Sequence, residues 1–284
     1  MSGRVKLKVR PLTARGMLFA VLMLAAATLY LYPVLLMVIN SLKPFRDVLT
    51  DVLALPKNLE LANYSYVMDK MSYFRLFRNN AVITLAGIAG IISFSSLAAY
   101  ILDRRKTKYT KLIYALVITP MLIPFQTIMI TLLKSMSAIG LSGSTWGLGV
   151  QYWGFGIPMA TFIYFNFMKT VPREIDESAM IDGASSLRTF LRIISPLLQP
   201  VTATVAVLDI MWIWNDFLLP LLMVNGSPAT RTLVLAAYNF VGQLNTKWHY
   251  ALAAMVLALV PSVIFFILLQ KYIVEGIVAG SIKG

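Results

Sequence analysis

Asp209, Trp212, Asn215 and Asp216 interrupt a stretch of the chain that is otherwise apolar. Read as one helix, positions 209, 212 and 216 fall on a common face. Carboxylates at membrane depth are costly, and they face a bundle interior or a wet cavity. One chemistry suits the set: a polar substrate path. Trp212 stacks on the apolar face of a sugar, while Asn215 and the two carboxylates bond its hydroxyls. Tyr152 is a further candidate for that path, with Gln126, Gln151 and Asn166 beyond it. The rival reading is structural, since interhelical hydrogen bonds from such residues also hold a bundle together.

A second concentration of acids is Glu174, Asp176, Glu177 and Asp182, four of the twelve in the chain. They lie in KTVPREIDESAMIDGASSLRTFLRIISPLLQP, residues 169–200. Pro172 suits a first helical turn, where its missing N–H is unpaired in any case. The acids that follow favour the positive end of the helix dipole. Gly183 stands where a left-handed residue ends a helix, and Ser185 or Ser186 is placed to cap the next one. The spacing predicts a short helix of about eleven residues, ~16 Å long at ~1.5 Å per residue. Ile175, Ala179 and Met180 are candidates to dock in a partner's groove, with Glu174 and Glu177 on a neighbouring face.

Other chemistry is scarce. Without cysteine there are no disulfides or thiolate metal sites. The single histidine, His249, sits beside Trp248 and Tyr250 and reads as an interfacial residue. There is no G-x-x-x-x-G-K-[ST], H-E-x-x-H or G-x-S-x-G. Catalytic and metal-binding residues are therefore not expected, nor is an enzyme. The net charge of +13 does not imply nucleic acid, because membrane proteins accumulate Lys and Arg on their cytoplasmic side.

The elements that must position these residues are membrane spans. The 284 residues are 58% hydrophobic and only 13% charged, about half the charge of an ordinary soluble protein. Uncharged stretches of spanning length occur at Met17–Ile39, Ala81–Leu102, Leu112–Leu133, Trp146–Met168 and Tyr250–Gln270. A longer one at about Ile193–Leu222 carries Asp209 and Asp216. An all-α polytopic protein of six spans follows. Most of the 25 Lys and Arg fall inside when the N-terminus is cytoplasmic, so both termini and the 169–192 loop are assigned there. The expected layout is a cytoplasmic tail (1–16), a first span (17–39), an external loop (40–79), a core of five spans (80–271) and a cytoplasmic tail (272–284). In the external loop, YSYVMDKMSYFRLF reads as an amphipathic helix at the interface. Pro33, Pro120, Pro124, Pro158 and Pro261 lie within spans, which suits a pathway-lining bundle.

Glu177-Ser178-Ala179, Asp182-Gly183-Ala184, Phe190, Ile193 and Pro196-Leu197 resemble the EAA loop of permease subunits of ATP-binding-cassette importers. Ser178 replaces the middle alanine of that pattern. SLKP at 41–44, PKNLELANY at 56–64, SFSSLAAY at 93–100, WND at 214–216 and the tail QKYIVEGIVAGSIKG resemble the carbohydrate-importer branch, in particular the six-span subunit of maltose-type transporters. The resemblance implies a type I importer-permease fold in a bacterial or archaeal cytoplasmic membrane. It implies a second, unlike permease subunit, two cytoplasmic ATPases and an extracytoplasmic solute-binding protein. This chain binds no cofactor in that scheme; the ATPases hold the ATP and Mg. The implied ATPase contacts are Glu174, Glu177, Ser178, Ala179, Asp182, Gly183 and Ala184, with Gly280, Ser281 and Gly284 in the tail. The implied cargo is a sugar, an oligosaccharide above all. The alternative is an ion-gradient-driven secondary transporter, in which Asp209 or Asp216 carries the proton. A third class is an intramembrane enzyme or a purely structural subunit.

Overall fold

The computed structural model describes residues 13–241 and 246–281, with side chains through 271 in the last helix. The described residues form helices and connecting turns, with no strand among them. The first helix, α1 (Ala14–Ser41), is capped by Thr13 and runs unbroken through Pro33. Its apolar surface lies open through Leu35, is partly covered from Leu36 to Ile39 and is buried at Asn40 and Ser41. Helix α2 (Phe45–Thr50) and α3 (Ala62–Lys70) follow, then the long α4 (Tyr73–Arg104).

The predicted interfacial helix over YSYVMDKMSYFRLF does not form as one element. Ser72 takes a left-handed conformation, φ 51°, so the chain turns between α3 and α4. Val67 and Met71 are buried with alanines of the last helix. Lys43 is also buried (1% exposed), although it belongs to the charged segment 40–79 that was expected to be an exposed loop. Its Nζ donates to Asn40 Oδ1 (3.0 Å) and the Asp51 carbonyl (2.9 Å).

The expected span at 112–133 is broken. It consists of α5 (Lys108–Ile118), a 3₁₀ turn over Thr119–Leu122 and α6 (Phe125–Ala138), with 101° between the two arms. Pro120 removes a backbone donor, and Pro124 drives the preceding Ile123 into extended backbone (φ −93°, ψ 116°). Pro158, within α7 (Thr145–Met168), leaves its helix continuous. After α7 come α8 (Glu174–Ile181) and α9 (Ser186–Thr189), a π turn at Phe190–Ile194, α10 (Ser195–Leu197) and α11 (Gln199–Asn215). The arms on either side of Leu198 meet at 77°, between Pro196 and Pro200. The chain ends with α12 (Leu218–Met223), α13 (Leu233–Tyr238) and α14 (Trp248–Ser281).

Three described helices, α1, α4 and α14, are long and apolar enough to cross a membrane; counting each bent pair as one span gives five. The 24-residue α7 is not among them. The largest helix–helix seam joins α4 to α7. Small residues allow the close approach. A Cβ on Gly149 would stand 2.7 Å from that of Ala86, and one on Gly90 would overlap the Trp153 indole. The main core spans α4, α7, α11 and α12, while a second gathers α3, α13 and α14 around Trp214.

Candidate functional site

The acidic segment folds as its punctuation requires, though as an eight-residue helix rather than one of about eleven. Glu174, Asp176 and Glu177 occupy the first turn of α8. Gly183 adopts φ +79°, and its N–H bonds the Met180 carbonyl (3.0 Å) while the Ala184 N–H bonds that of Ala179 (2.9 Å). This pair of bonds satisfies the last carbonyls of a helix that a left-handed residue has stopped. Ser185 Oγ then accepts the Arg188 N–H and starts α9.

The two faces of α8 differ. Outward lie Glu174, Glu177, Ser178, Met180 (52% exposed) and Ile181 (86%), followed by Asp182. Ala179 is only 4% exposed and packs within its own chain. Of the expected docking residues, Ala179 is therefore turned inward, while Met180 stays on the outer face, joined there by Ile181. Asp176, not singled out as a site residue by its sequence, points inward. Tyr100 donates its hydroxyl to Asp176 Oδ1 (2.7 Å), and Arg104 donates Nε–H to Oδ2 (2.9 Å). Arg104 also reaches Asp103 Oδ2 (2.8 Å) and the Val171 carbonyl (3.2 Å), and Arg173 donates to the Asp103 carbonyl (2.6 Å). Both carboxylates are buried and paired, the condition under which buried charge is tolerated. A cavity of about 440 Å³ opens beside this joint, with Leu97, Ile101, Met180 and Leu187 on its walls and Arg105 and Glu177 among its polar groups.

The polar set at 209–216 does not share one helical face. Helix α11 ends at Asn215, and Asp216 is extended (φ −67°, ψ 138°). Its Oδ1 accepts the Leu218 N–H (3.0 Å), so the side chain stabilises the start of α12 rather than continuing α11. Three of the expected residues nevertheless meet. Tyr152 donates its hydroxyl to Asp216 Oδ2 (2.8 Å), and its ring packs edge-on against Trp212, centroids 5.2 Å apart. Trp212 stays 40% exposed. Asn215 is drawn elsewhere, its Oδ1 accepting from Ser262 of α14 (2.9 Å). Asp209 is half-buried, and its Oδ2 is buried without a hydrogen-bond partner among the described residues. Trp214 belongs to the second core.

Gly280 and Ser281 fall in the last turn of α14; Gly284 lies outside the described residues, as do positions 1–12 of the tail.

Residues 91–278 match the family model described as binding-protein-dependent transport system inner membrane component. The chain is 40% identical over 255 residues to a probable starch degradation products transport system permease protein, AmyC, of Thermoanaerobacterium thermosulfurigenes, covering 90% of this chain and 92% of that one. It is 34% identical over 267 residues to the multiple sugar-binding transport system permease protein MsmG of Streptococcus mutans, covering 93% and 95%. Its fold resembles a chain in the crystal structure of a bacterial ABC transporter involved in the import of the acidic polysaccharide alginate. That likeness has a TM-score of 0.79 at 21% identity, over 93% of this chain and 99% of that one.

Proposed function

The chain belongs to the family of binding-protein-dependent transport system inner membrane components, and from that membership we propose that it is a permease subunit of an ATP-driven sugar importer. It forms half of the translocation pathway, beside a second and unlike permease subunit. Oligosaccharides are the proposed cargo, in keeping with the names of AmyC and MsmG. The chain has no phosphate-binding loop of its own, so the energy comes from two separate cytoplasmic ATPases, which hold ATP and Mg. An extracytoplasmic binding protein delivers the sugar. The proposed topology has six spans and cytoplasmic termini: α1, α4, the bent α5–α6, α7, the bent segment through α11, and α14.

The observation that carries the reading is the two-sided α8. Its outer face presents acids and apolar side chains, and its inner face is tied to α4 by buried ionic hydrogen bonds. A short, exposed, well-stopped helix of this kind suits a seat in a cleft on an ATPase. ATP-driven closure of the ATPases then moves α8, and the pathway switches sides by rigid-body displacement. Each ligand must favour one state differentially to drive the switch. Tyr152, Trp212 and Asp216 are the pathway residues of this scheme, offering an aromatic platform and a carboxylate acceptor to sugar hydroxyls.

The test is uptake and ATPase co-purification in Glu177→Lys and Gly183→Pro variants. The expected result is loss of coupled uptake or of the ATPase, with the chain still in the membrane. Normal uptake and normal co-purification in both variants reject the reading. The ion-gradient alternative draws on Asp209, whose carboxylate oxygen is buried without a partner among the described residues. Uptake by ATP-free vesicles bearing only this chain and a proton gradient would establish that alternative.

A further inference from the structure

Helix α4 is fastened at both ends to elements far apart in sequence. At its cytoplasmic end Tyr100 and Arg104 hold Asp176 of α8, as described, and the Tyr100 ring lies 5.2 Å from that of Phe190. At its other end Asn79 donates from Nδ2 to the carbonyls of Ala229 (2.8 Å) and Arg231 (3.0 Å). The adjacent Asn80 donates to the Trp214 carbonyl (3.3 Å), and its Oδ1 accepts the Leu233 N–H (2.8 Å). Both asparagines are buried, at 4% and 1% exposure. The loop they grip is itself folded, since Arg231 donates twice to the Asn225 carbonyl (3.1 and 2.9 Å). Between the two joints α4 rises about 30 Å at ~1.5 Å per residue. It contains no proline, and its close glycine-mediated packing on α7 stiffens it.

We propose that α4 is a connecting rod between the α8 coupling surface and the external loop 225–233. Asn79 and Asn80 are its positioning residues at the outer joint; Tyr100, Arg104 and Asp176 are those at the inner joint. The inference rests on the reading of α8 as the ATPase-coupling helix. Side-chain amides satisfying buried carbonyls at one end, and a buried carboxylate satisfied on both oxygens at the other, leave neither joint free to slip without stranding polar groups. A displacement of α8 is therefore delivered to loop 225–233, which the proposed topology puts on the binding protein's side of the membrane, and docking of that protein there is delivered to the ATPases. A rod with two joints makes a distinctive prediction. Breaking either joint disconnects the ends, and breaking the second adds nothing.

The experiment uses the complete transporter, reconstituted with its ATPases and binding protein, carrying Tyr100→Phe, Asn79→Ala or both. Tyr100→Phe removes one hydroxyl; Asn79→Ala removes both bonds to the loop. Each single variant is expected to retain ATPase co-purification and basal hydrolysis. Each should lose at least about fivefold of the stimulation by binding protein, the low end of typical coupling between sites. The double variant should fall no further than the weaker single. Full stimulation in either single variant, or a double loss equal to the product of the single losses, overturns the rod. If one variant does not assemble, Asp176→Asn and Asn80→Ala make the same comparison at the two joints. An unsubstituted transporter whose ATPase does not respond to the binding protein refutes the coupling reading of α8 itself. A normal response there, with unaffected variants, refutes the rod alone.

Discussion

Replacing Asp176 by alanine should undock α8 while leaving its outer face chemically intact. The carboxylate accepts from Tyr100 at 2.7 Å and from Arg104 at 2.9 Å, with the side chain 6% exposed. A hydrogen bond to a charged group contributes ~1.5–3 kcal/mol, and breaking a buried ion pair costs ~3–5 kcal/mol. Arg104 keeps Asp103 and the Val171 carbonyl, so its charge is not stranded and the lower end applies, about 3 kcal/mol. At ~1.4 kcal/mol per tenfold, the docked population of α8 relative to the undocked one falls about 100-fold. Hydrogen–deuterium exchange of the amides in 174–182 reads this directly, since exchange through local opening follows the opening equilibrium. The Asp176→Ala rates should rise about 100-fold over those of the unsubstituted chain. Asp176→Asn keeps an oxygen for Tyr100 and should give a smaller rise, about tenfold, from losing the charge alone. Glu177→Gln, on the exposed face, should leave exchange unchanged. Unchanged exchange in Asp176→Ala, or an equal rise in Glu177→Gln, refutes the assignment of inner and outer faces.

Further outcomes follow from other sites. Tyr152→Phe removes the hydroxyl bound to Asp216 and should lower initial uptake rates about tenfold or more, from the loss of one charged hydrogen bond, at normal membrane abundance; unchanged uptake removes these residues from the pathway. Gly90→Ala forces the Trp153 indole from its 2.9 Å bond to the Ala86 carbonyl and should cost about 1–3 kcal/mol. Gly154→Ala, with open space around it, should be near neutral, and thermal unfolding of the solubilised protein distinguishes the two. Lys43→Met leaves Asn40 Oδ1 and the Asp51 carbonyl without their ammonium donor, a loss of about 2 kcal/mol, so limited proteolysis between Arg46 and Lys57 should accelerate.

Hydropathy and helix punctuation made much of this architecture legible. The apolar runs at 17–39, 81–102, 146–168 and 250–270 lie within α1, α4, α7 and α14. Gly183 and Ser185 mark a helix stop and start because each is a local backbone device. What was not legible depended on tertiary context. Proline positions are visible in the sequence, but Pro158 sits within a continuous helix while Pro120 and Pro124 flank a bend. The 3.6-residue period placed Asp216 on the α11 face, yet Asp216 is extended and its bond to the Leu218 N–H belongs to the break between α11 and α12. Asp176 reads as one solvated acid among several, and only Tyr100 and Arg104, more than seventy residues away, turn it inward. Lys43 is likewise an ordinary loop charge until Asn40 and the loop carbonyls surround it.

The central claim, that the outer face of α8 seats on an ATPase, is tested most directly by site-specific cross-linking. The natural absence of cysteine provides the background. Glu177→Cys, Ile181→Cys and Ala179→Cys chains are each co-expressed with the partner subunits and treated in membranes with a short bifunctional thiol–amine reagent. The expected result is an ATPase adduct from positions 177 and 181, changing in yield with ATP, and little from the buried position 179. Absence of any ATPase adduct from 177 and 181 in an assembled, transporting complex, or an adduct equally strong from 179, would contradict it.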